Sequence, residues 1–291
     1  MKFATAFISL ILCAATAVEG HSHMKRHYRR SGPSVTIGGT TAAPESTPDS
    51  GSQALSTASN PGSKRGVSFN DVAATHPFGS KIKWAYNWAP THDGSLNSGV
   101  EYVPMLWGTD ANHASGWSAH ANAAIAAGST HLLGFNEPDL GAQSNLSPAA
   151  AAAAWKQYME PFAGKAKLVS PAVTNGAPPS MGTGWLDSFL AACTGCHIDA
   201  IAIHIYDSAT NTAYFQNYIS SVASKYKKPV WVTEFGASGS VQQQQAFLNT
   251  MLPFLDGLSG VERYAYFMAG QNILVNSNNQ LTALGQSYNT I

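Results

Sequence analysis

The stretch His131-Leu132-Leu133-Gly134-Phe135-Asn136-Glu137-Pro138-Asp139-Leu140 carries a short apolar run directly into an amide, a carboxylate and a proline. Read as a strand, it stops at Pro138, which has no N–H with which to continue a ladder. A glutamate gains nothing by closing a buried apolar strand unless water, a partner or a substrate meets it there, because an unpaired buried carboxylate is costly. Lys228-Pro229-Val230-Trp231-Val232-Thr233-Glu234-Phe235-Gly236 repeats the pattern, an apolar strand running into Glu234 and then glycine. Two glutamates presented at strand ends of one scaffold point to an acid and a nucleophile.

Outward from these two stretches, from Lys64 to the end, strand-like runs alternate with helical patterns, which predicts βα units around a parallel sheet. The predicted strands are 66–69, 82–86, 101–106, 131–135, 167–170, 200–204, 230–233 and 263–267, and the helical stretches include 115–127, 148–162, 185–192, 214–226 and 241–255. Ser147 before Pro148 is a helix start, since the hydroxyl caps free amides and proline suits the first turn. Eight strands in roughly 230 residues match an α/β fold of the (β/α)8 TIM barrel type, about 250 residues in size. The alternative is a doubly wound open sheet. Its nucleotide-binding forms lose support because no Gly-x-Gly-x-x-Gly turn follows the first strand and no Walker-type motif is present.

The expected organisation has three segments: 1–17, 18–63 and 64–291. Lys2, an apolar run over 3–14 and Ala15-Thr16-Ala17 read as a secretory signal, the run being shorter than the roughly eighteen residues of a bilayer span. An uncleaved anchor is the alternative. Residues 18–63 begin with a basic piece containing His21, His23 and His27, read as a solvated charge run. The Ser, Thr, Gly, Ala and Pro tract that follows holds too little apolar surface to fold, and we read it as a linker or propeptide. Arg29-Arg30 and Lys64-Arg65 are candidate processing sites. With signal removal only Cys193 and Cys196 remain, and an oxidising compartment favours a disulfide between them; zinc with His197 would lack ligands. Charged residues make up 11% of the chain, 16 basic against 16 acidic, so no field gathers polyanions and nucleic acid is not an expected partner. A secreted or cell-wall monomer with no cofactor and no metal is expected.

In a barrel, residues at the carboxyl ends of strands face the active-site mouth. That inventory holds Asn70, Asn87, Trp88, Trp107, Asn136, Glu137, Asn175, His204, Tyr206, Glu234 and Tyr266. Amides, carboxylates and aromatic rings with few cations suit a neutral polyhydroxyl ligand, rings stacking on sugar faces and polar groups taking hydroxyls. Two carboxylates flanking a glycosidic bond are the minimal machinery for its hydrolysis. Glu101, Glu160 and Glu262 read as solvated charges, Asp139 as a loop-orienting group, and Asp207 lies near the mouth.

The block Gly134-Phe135-Asn136-Glu137-Pro138-Asp139, with Trp231-Val232-Thr233-Glu234-Phe235-Gly236, resembles glycoside hydrolase clan A. More closely it resembles glycoside hydrolase family 128, the fungal alkali-sensitive-linkage-type catalytic core. Trp84-Ala85-Tyr86-Asn87-Trp88, Val103-Pro104-Met105-Leu106-Trp107-Gly108 and Ser170-Pro171-Ala172-Val173-Thr174-Asn175 extend the likeness from Lys64 to the end. The resemblance implies a retaining β-glucanase acting on β-1,3-glucan, with Glu137 as general acid/base and Glu234 as nucleophile, their carboxyl groups about 5 to 5.5 Å apart. It implies that Asn136 holds the sugar 2-hydroxyl, that Tyr206 donates to Glu234, and that His204, Asn87, Trp88, Trp107, Asn175 and Tyr266 complete the substrate site. The chain departs from the family at Ile205, between the sixth-strand His and Tyr, and at Tyr266 on the eighth strand, where tryptophan is usual. If those two residues belong to the sugar platform, the alternative is a weakly active or noncatalytic glucan-binding wall protein.

Overall fold

The computed structural model describes residues 64–290; the signal and linker readings fall on 1–63 and lie outside the described residues. The strands are β1 (Arg65–Phe69), β2 (Trp84–Tyr86), β3 (Glu101–Tyr102), β4 (His131–Leu133), β5 (Lys167–Val169), β6 (Ile201–Ser208), β7 (Val230–Ser238) and β8 (Val261–Ala269). Between and after them lie α1 (Ala111–Ala114), α2 (Trp117–Ala126), α3 (Pro148–Tyr158), α4 (Gly182–Ala192), α5 (Thr212–Tyr226), α6 (Val241–Gly257) and α7 (Ala283–Thr290). Ser147 caps α3 through the Ala150 N–H, with Pro148 in the first turn. The helix expected over 115–127 forms as α2, with Gly116 at its N-cap in the left-handed region, φ 75°. None of the helices among the described residues is long and apolar enough to cross a membrane.

All strand pairings are parallel. Continuous ladders run β3-β2-β1-β8-β7-β6 and β4-β5, and isolated bridges span the two seams: Met105 to Leu133 on one, Val169 to Ala200 and Val173 to Ile203 on the other. The strand order is therefore that of an eight-stranded barrel whose ladders thin out at two places. A proline stands at each, Pro104 after β3 and Pro171 after β5, and neither can donate a rung. This is why β3 is two residues long where the sequence suggested six. At the β5–β6 seam side chains alternate with backbone: Ala200 O accepts from Ser170 N, Ser170 Oγ from Ala202 N, Val173 O from His204 N and Asn175 Oδ1 from Tyr206 N.

Strand residues alternate between two apolar clusters. Trp84, Tyr86, Leu133, Ala202, Trp231 and Ala265 fill the barrel, while Val67, Leu132, Ile203, Ile205, Val232 and Tyr266 pack against the helices. At the amino-terminal end of the barrel the filling is charged. The Arg263 guanidinium lies 4.5 Å from the Trp231 ring centroid and donates to Glu101 at 2.5 Å. Trp231 in turn donates to Glu262 at 2.8 Å. Glu101 and Glu262 are thus ion-pair and hydrogen-bond partners rather than solvated charges. Glu160 stays at the surface, where it pairs with the exposed His197. Cys193 and Cys196 form the expected disulfide, with Cα atoms 5.4 Å apart.

Burial pushes the Glu101 carboxyl up, but His131, Arg263 and the Thr130 amide outweigh it and hold the pKa at about 2, against 4.5 unperturbed. Because the folded value is the lower one, this stabilisation is fully present above the unfolded pKa and is lost as pH falls through the folded one. Glu101→Gln is expected to cost about 3 kcal/mol at pH 7 and little near pH 2. Urea midpoints measured from pH 2 to 7 check this, and an acid limb with equal slope in both proteins would contradict it.

Candidate active site

Strict alternation along β7 would send Glu234 toward the helices with Val232. It does not, because β7 carries one more residue here than either neighbour. Ile203 pairs with Val232 but His204 with Glu234, and Val232 pairs with Tyr264 but Phe235 with Tyr266. The β-bulge at Thr233-Glu234 re-aims the carboxylate into the barrel, a common use of bulges beside active sites. Glu234 is consequently not at a strand end, since β6 and β7 continue together to Ser208 and Ser238. Glu137 reaches the same space from the other side. Its N–H is held by Ala172 O at 2.8 Å, and its φ of 40° is left-handed, an uncommon backbone for a non-glycine residue and one typical of functional sites. Trp88 shares the trait, with φ 57°.

His204, fully buried on β6, joins the two carboxylates: Nδ1 lies 2.8 Å from Glu137 Oε1 and 3.5 Å from Glu234 Oε2. Trp88 Nε1 donates to Glu234 Oε1 at 2.8 Å, and Tyr206 Oη donates to Oε2 at 2.5 Å. Tyr86, which sequence reasoning missed, donates to Thr233 O at 3.1 Å and reaches Glu234 Oε1 at 3.5 Å. Gly236 makes room for this arrangement: a Cβ there would sit 2.9 Å from Tyr206 Cε1. Glu137, His204 and Glu234 each offer a ligand atom, all within 4.8 Å of one another. The Trp88 N–H and Tyr206 O–H that donate to the two oxygens of Glu234 suit a carboxylate and oppose a cation there.

Burial is the largest influence on Glu234 and raises its pKa; His204 opposes, Glu137 adds, and the net direction is up. Burial alone would lower His204, but the Glu234 and Glu137 charges outweigh it and raise it. Tyr206 and Tyr86 are pushed well above the usual phenol range by burial and then by the Glu234 charge, so both remain donors.

Asn136 donates from Nδ2 to Gln143 Oε1 at 3.2 Å, leaving Oδ1 buried and unpartnered, an acceptor that a sugar hydroxyl would satisfy. Trp107 is half-buried at the mouth, stacked on His113 at 4.5 Å, with its carbonyl accepting from Asn136 N. Asp139 ties loops together, accepting from Thr174 Oγ1 at 2.6 Å and Gly182 N at 2.8 Å.

Of the residues expected to bind substrate, two amides are engaged within the protein and Tyr266 is corrected. Asn87 commits its amide to its own loop, donating to Thr91 O and accepting from Tyr102 Oη; with Asn70 it lines a hollow of about 340 Å³ at the ends of β1 and β2. Asn175 commits its amide to Tyr206 and Tyr214. Tyr266 faces the helix layer, 2% exposed, packed on Phe235 and Tyr288 and donating to Gln244. Its neighbour Phe267 is the β8 ring at the mouth, 5.5 Å from Trp88 and 5.9 Å from Tyr206. Ile205 also lies in the helix-facing cluster. Both departures from the family pattern therefore lie in the helix-facing layer and not in the barrel interior. Period-two alternation counted from Ala265 was the signal that would have found Phe267.

The class that this fold and site fit is the glycosyl hydrolases, and residues 66–288 match the sequence profile of the glycosyl hydrolase catalytic core. A curdlan-specific exo-β-1,3-glucanase of family 128, subgroup III, from Blastomyces gilchristii, solved with glucose, is 47% identical. It superposes with a TM-score of 0.74 over 80% of this chain and 100% of its own. A subgroup I endo-β-1,3-glucanase from Amycolatopsis mediterranei, solved as a glutamate-to-alanine mutant with laminaripentaose, is 32% identical, with TM-score 0.67 and coverage of 79% and 99%. Alkali-sensitive linkage protein 1 of Schizosaccharomyces pombe is 34% identical over 249 residues, 77% of this chain and 44% of that protein, so the chain spans less than half of that curated relative. The chain belongs to the glycosyl hydrolase catalytic core family and, within it, to glycoside hydrolase family 128.

Proposed function

We propose that the chain is a secreted retaining glycoside hydrolase that cleaves β-1,3-glucan of fungal-type cell walls, with Glu234 as nucleophile and Glu137 as general acid and base. The observation that carries this reading is the pair's proximity: an oxygen of Glu137 and an oxygen of Glu234 lie within 4.8 Å of each other, which supports the close pairing of carboxyl groups used in double displacement over the wider one of inverting enzymes. In the first step Glu137 gives its proton to the glycosidic oxygen while Glu234 attacks the anomeric carbon from the opposite face. In the second, Glu137 takes a proton from water, which displaces Glu234 and restores the original configuration. Trp88 and Tyr206 hold the two oxygens of Glu234, and Asn136 offers its free Oδ1 to the sugar bound between the carboxylates. The relatives named as β-1,3-glucanases support the substrate. The signal-like run at 1–17 and the Cys193–Cys196 disulfide support secretion.

The test is hydrolysis of laminarin beside β-1,6- and β-1,4-glucans, followed by proton NMR of the first products. Preferential release from the β-1,3 polymer with the β-anomer appearing first is the expected result. An α-anomer would reject double displacement, and equal inertness toward all three polymers would reject the activity.

A further inference from the structure

The side chain of Asn175 pairs with the backbone of Tyr206 as a neighbouring peptide would. Oδ1 accepts from Tyr206 N at 3.2 Å and Nδ2 donates to Tyr206 O at 3.1 Å. Nδ2 also donates to Tyr214 Oη at 3.1 Å, anchoring the amide to α5. This occurs on the seam where Pro171 has interrupted the β5–β6 ladder and the last backbone rung, Val173 O to His204 N, lies two residues upstream on β6. The amide supplies the rung that the strand lacks. The residue it holds is the one whose hydroxyl meets Glu234 at 2.5 Å. On its other side Tyr206 is in register with Gly236, two residues beyond Glu234 on β7. An amide whose N–H and C=O groups are both engaged in this way has little left to offer a sugar.

We propose that Asn175 is a positioning residue: it fixes the backbone of Tyr206 so that the phenol stays on the Glu234 carboxylate, and it does not contact substrate. The proposal rests on the reading of Glu234 as nucleophile, and the tests below separate the two. The groups facing Glu234 are Tyr86 and Trp88 from β2 and its loop, Glu137 from the β4 end, and His204 and Tyr206 from β6. Among these, the Tyr206 hydrogen bond lowers the Glu234 pKa, so loosening Tyr206 raises it.

Asn175→Leu is therefore expected to lower kcat on laminari-oligosaccharides by roughly ten- to a hundredfold, since small misplacements of catalytic groups have effects of that size, while KM stays within about twofold. Its acid limb of kcat/KM moves to higher pH, in the direction of Tyr206→Phe, and the double variant is no slower than Tyr206→Phe alone, because the two residues act in one chain. Asn175→Asp keeps the acceptor for Tyr206 N but faces Tyr206 O with a lone pair; it serves where the leucine variant folds poorly and should show the same upward shift, smaller in size. The carbon-13 titration of the Glu234 carboxyl reads that shift without turnover, so it decides the proposal even if the hydrolytic reading fails. A rise in KM with kcat unchanged, additive effects in the double variant, or an unmoved Glu234 titration would each overturn it.

Discussion

Glu234→Gln is expected to lower kcat on laminarin by roughly ten-thousandfold, with binding of laminari-oligosaccharides retained. The loss is large because in the proposed mechanism the side chain is the nucleophile of the first step and the leaving group of the second: without it no glycosyl-enzyme forms and none is hydrolysed. Glutamine is a fair replacement in shape and in hydrogen bonding. Trp88 can only donate, so the amide oxygen turns to Trp88 Nε1, while the amide nitrogen faces Tyr206, whose hydroxyl can accept as well as donate. The barrel and cleft should survive, and calorimetry with laminaripentaose together with an unchanged melting temperature would show that they do. Roughly ten-thousandfold is about 5.5 kcal/mol of transition-state stabilisation, more than reorganisation of one hydrogen bond supplies. A loss of tenfold or less would mean that another group attacks, and the assignment would fall.

The parts of this arrangement that were legible in the sequence and the parts that were not divide along physical lines. The eight strands could be read because each is a short apolar run bounded by polar or helical sequence, and the parallel order follows from βα alternation. Glu137 could be read because Pro138 ends the run beside it. Glu234 was found by the same pattern, but its inward aim depends on a bulge, and nothing local in Thr233-Glu234-Phe235 encodes an extra residue relative to β6 and β8. A bulge is a relation between strands. The Tyr266 error has the same origin in reverse: choosing the ring next to the inward one turns a helix-facing core residue into a cleft wall, because one step along a strand changes the face. Asn87 and Asn175 follow strands as read, yet which groups their amides satisfy, the Thr91 carbonyl and Tyr102 hydroxyl for one and the Tyr206 backbone and Tyr214 hydroxyl for the other, is set by packing that composition does not describe. The charged plug of Glu101, Arg263 and Trp231 was invisible because its members lie far apart in the chain.

Glu137→Ala is expected to slow hydrolysis of laminarin by about a hundred- to ten-thousandfold, the range of general acid–base catalysis, but to be far milder on an aryl β-laminaribioside whose leaving phenolate needs no proton. With such a substrate the first step no longer depends on Glu137, whereas the second still requires a base for water, so the glycosyl-enzyme accumulates and KM falls. Azide, already anionic, needs no base. It should restore turnover in Glu137→Ala and yield a β-glycosyl azide, since it displaces Glu234 from the face that water would have used. Glu137→Gln is the control for His204: the amide oxygen can keep the contact that Nδ1 makes to Glu137 Oε1 at 2.8 Å, so a common loss in both variants reports the missing proton rather than a displaced imidazole. The two glutamates are distinguished by the product. In a small-residue variant at Glu234 azide can only attack the intact glycoside from the nucleophile's own face, giving the α-azide. A β-azide from the 234 variant, or no acceleration in the 137 variant, would exchange or erase the roles given to the two carboxylates.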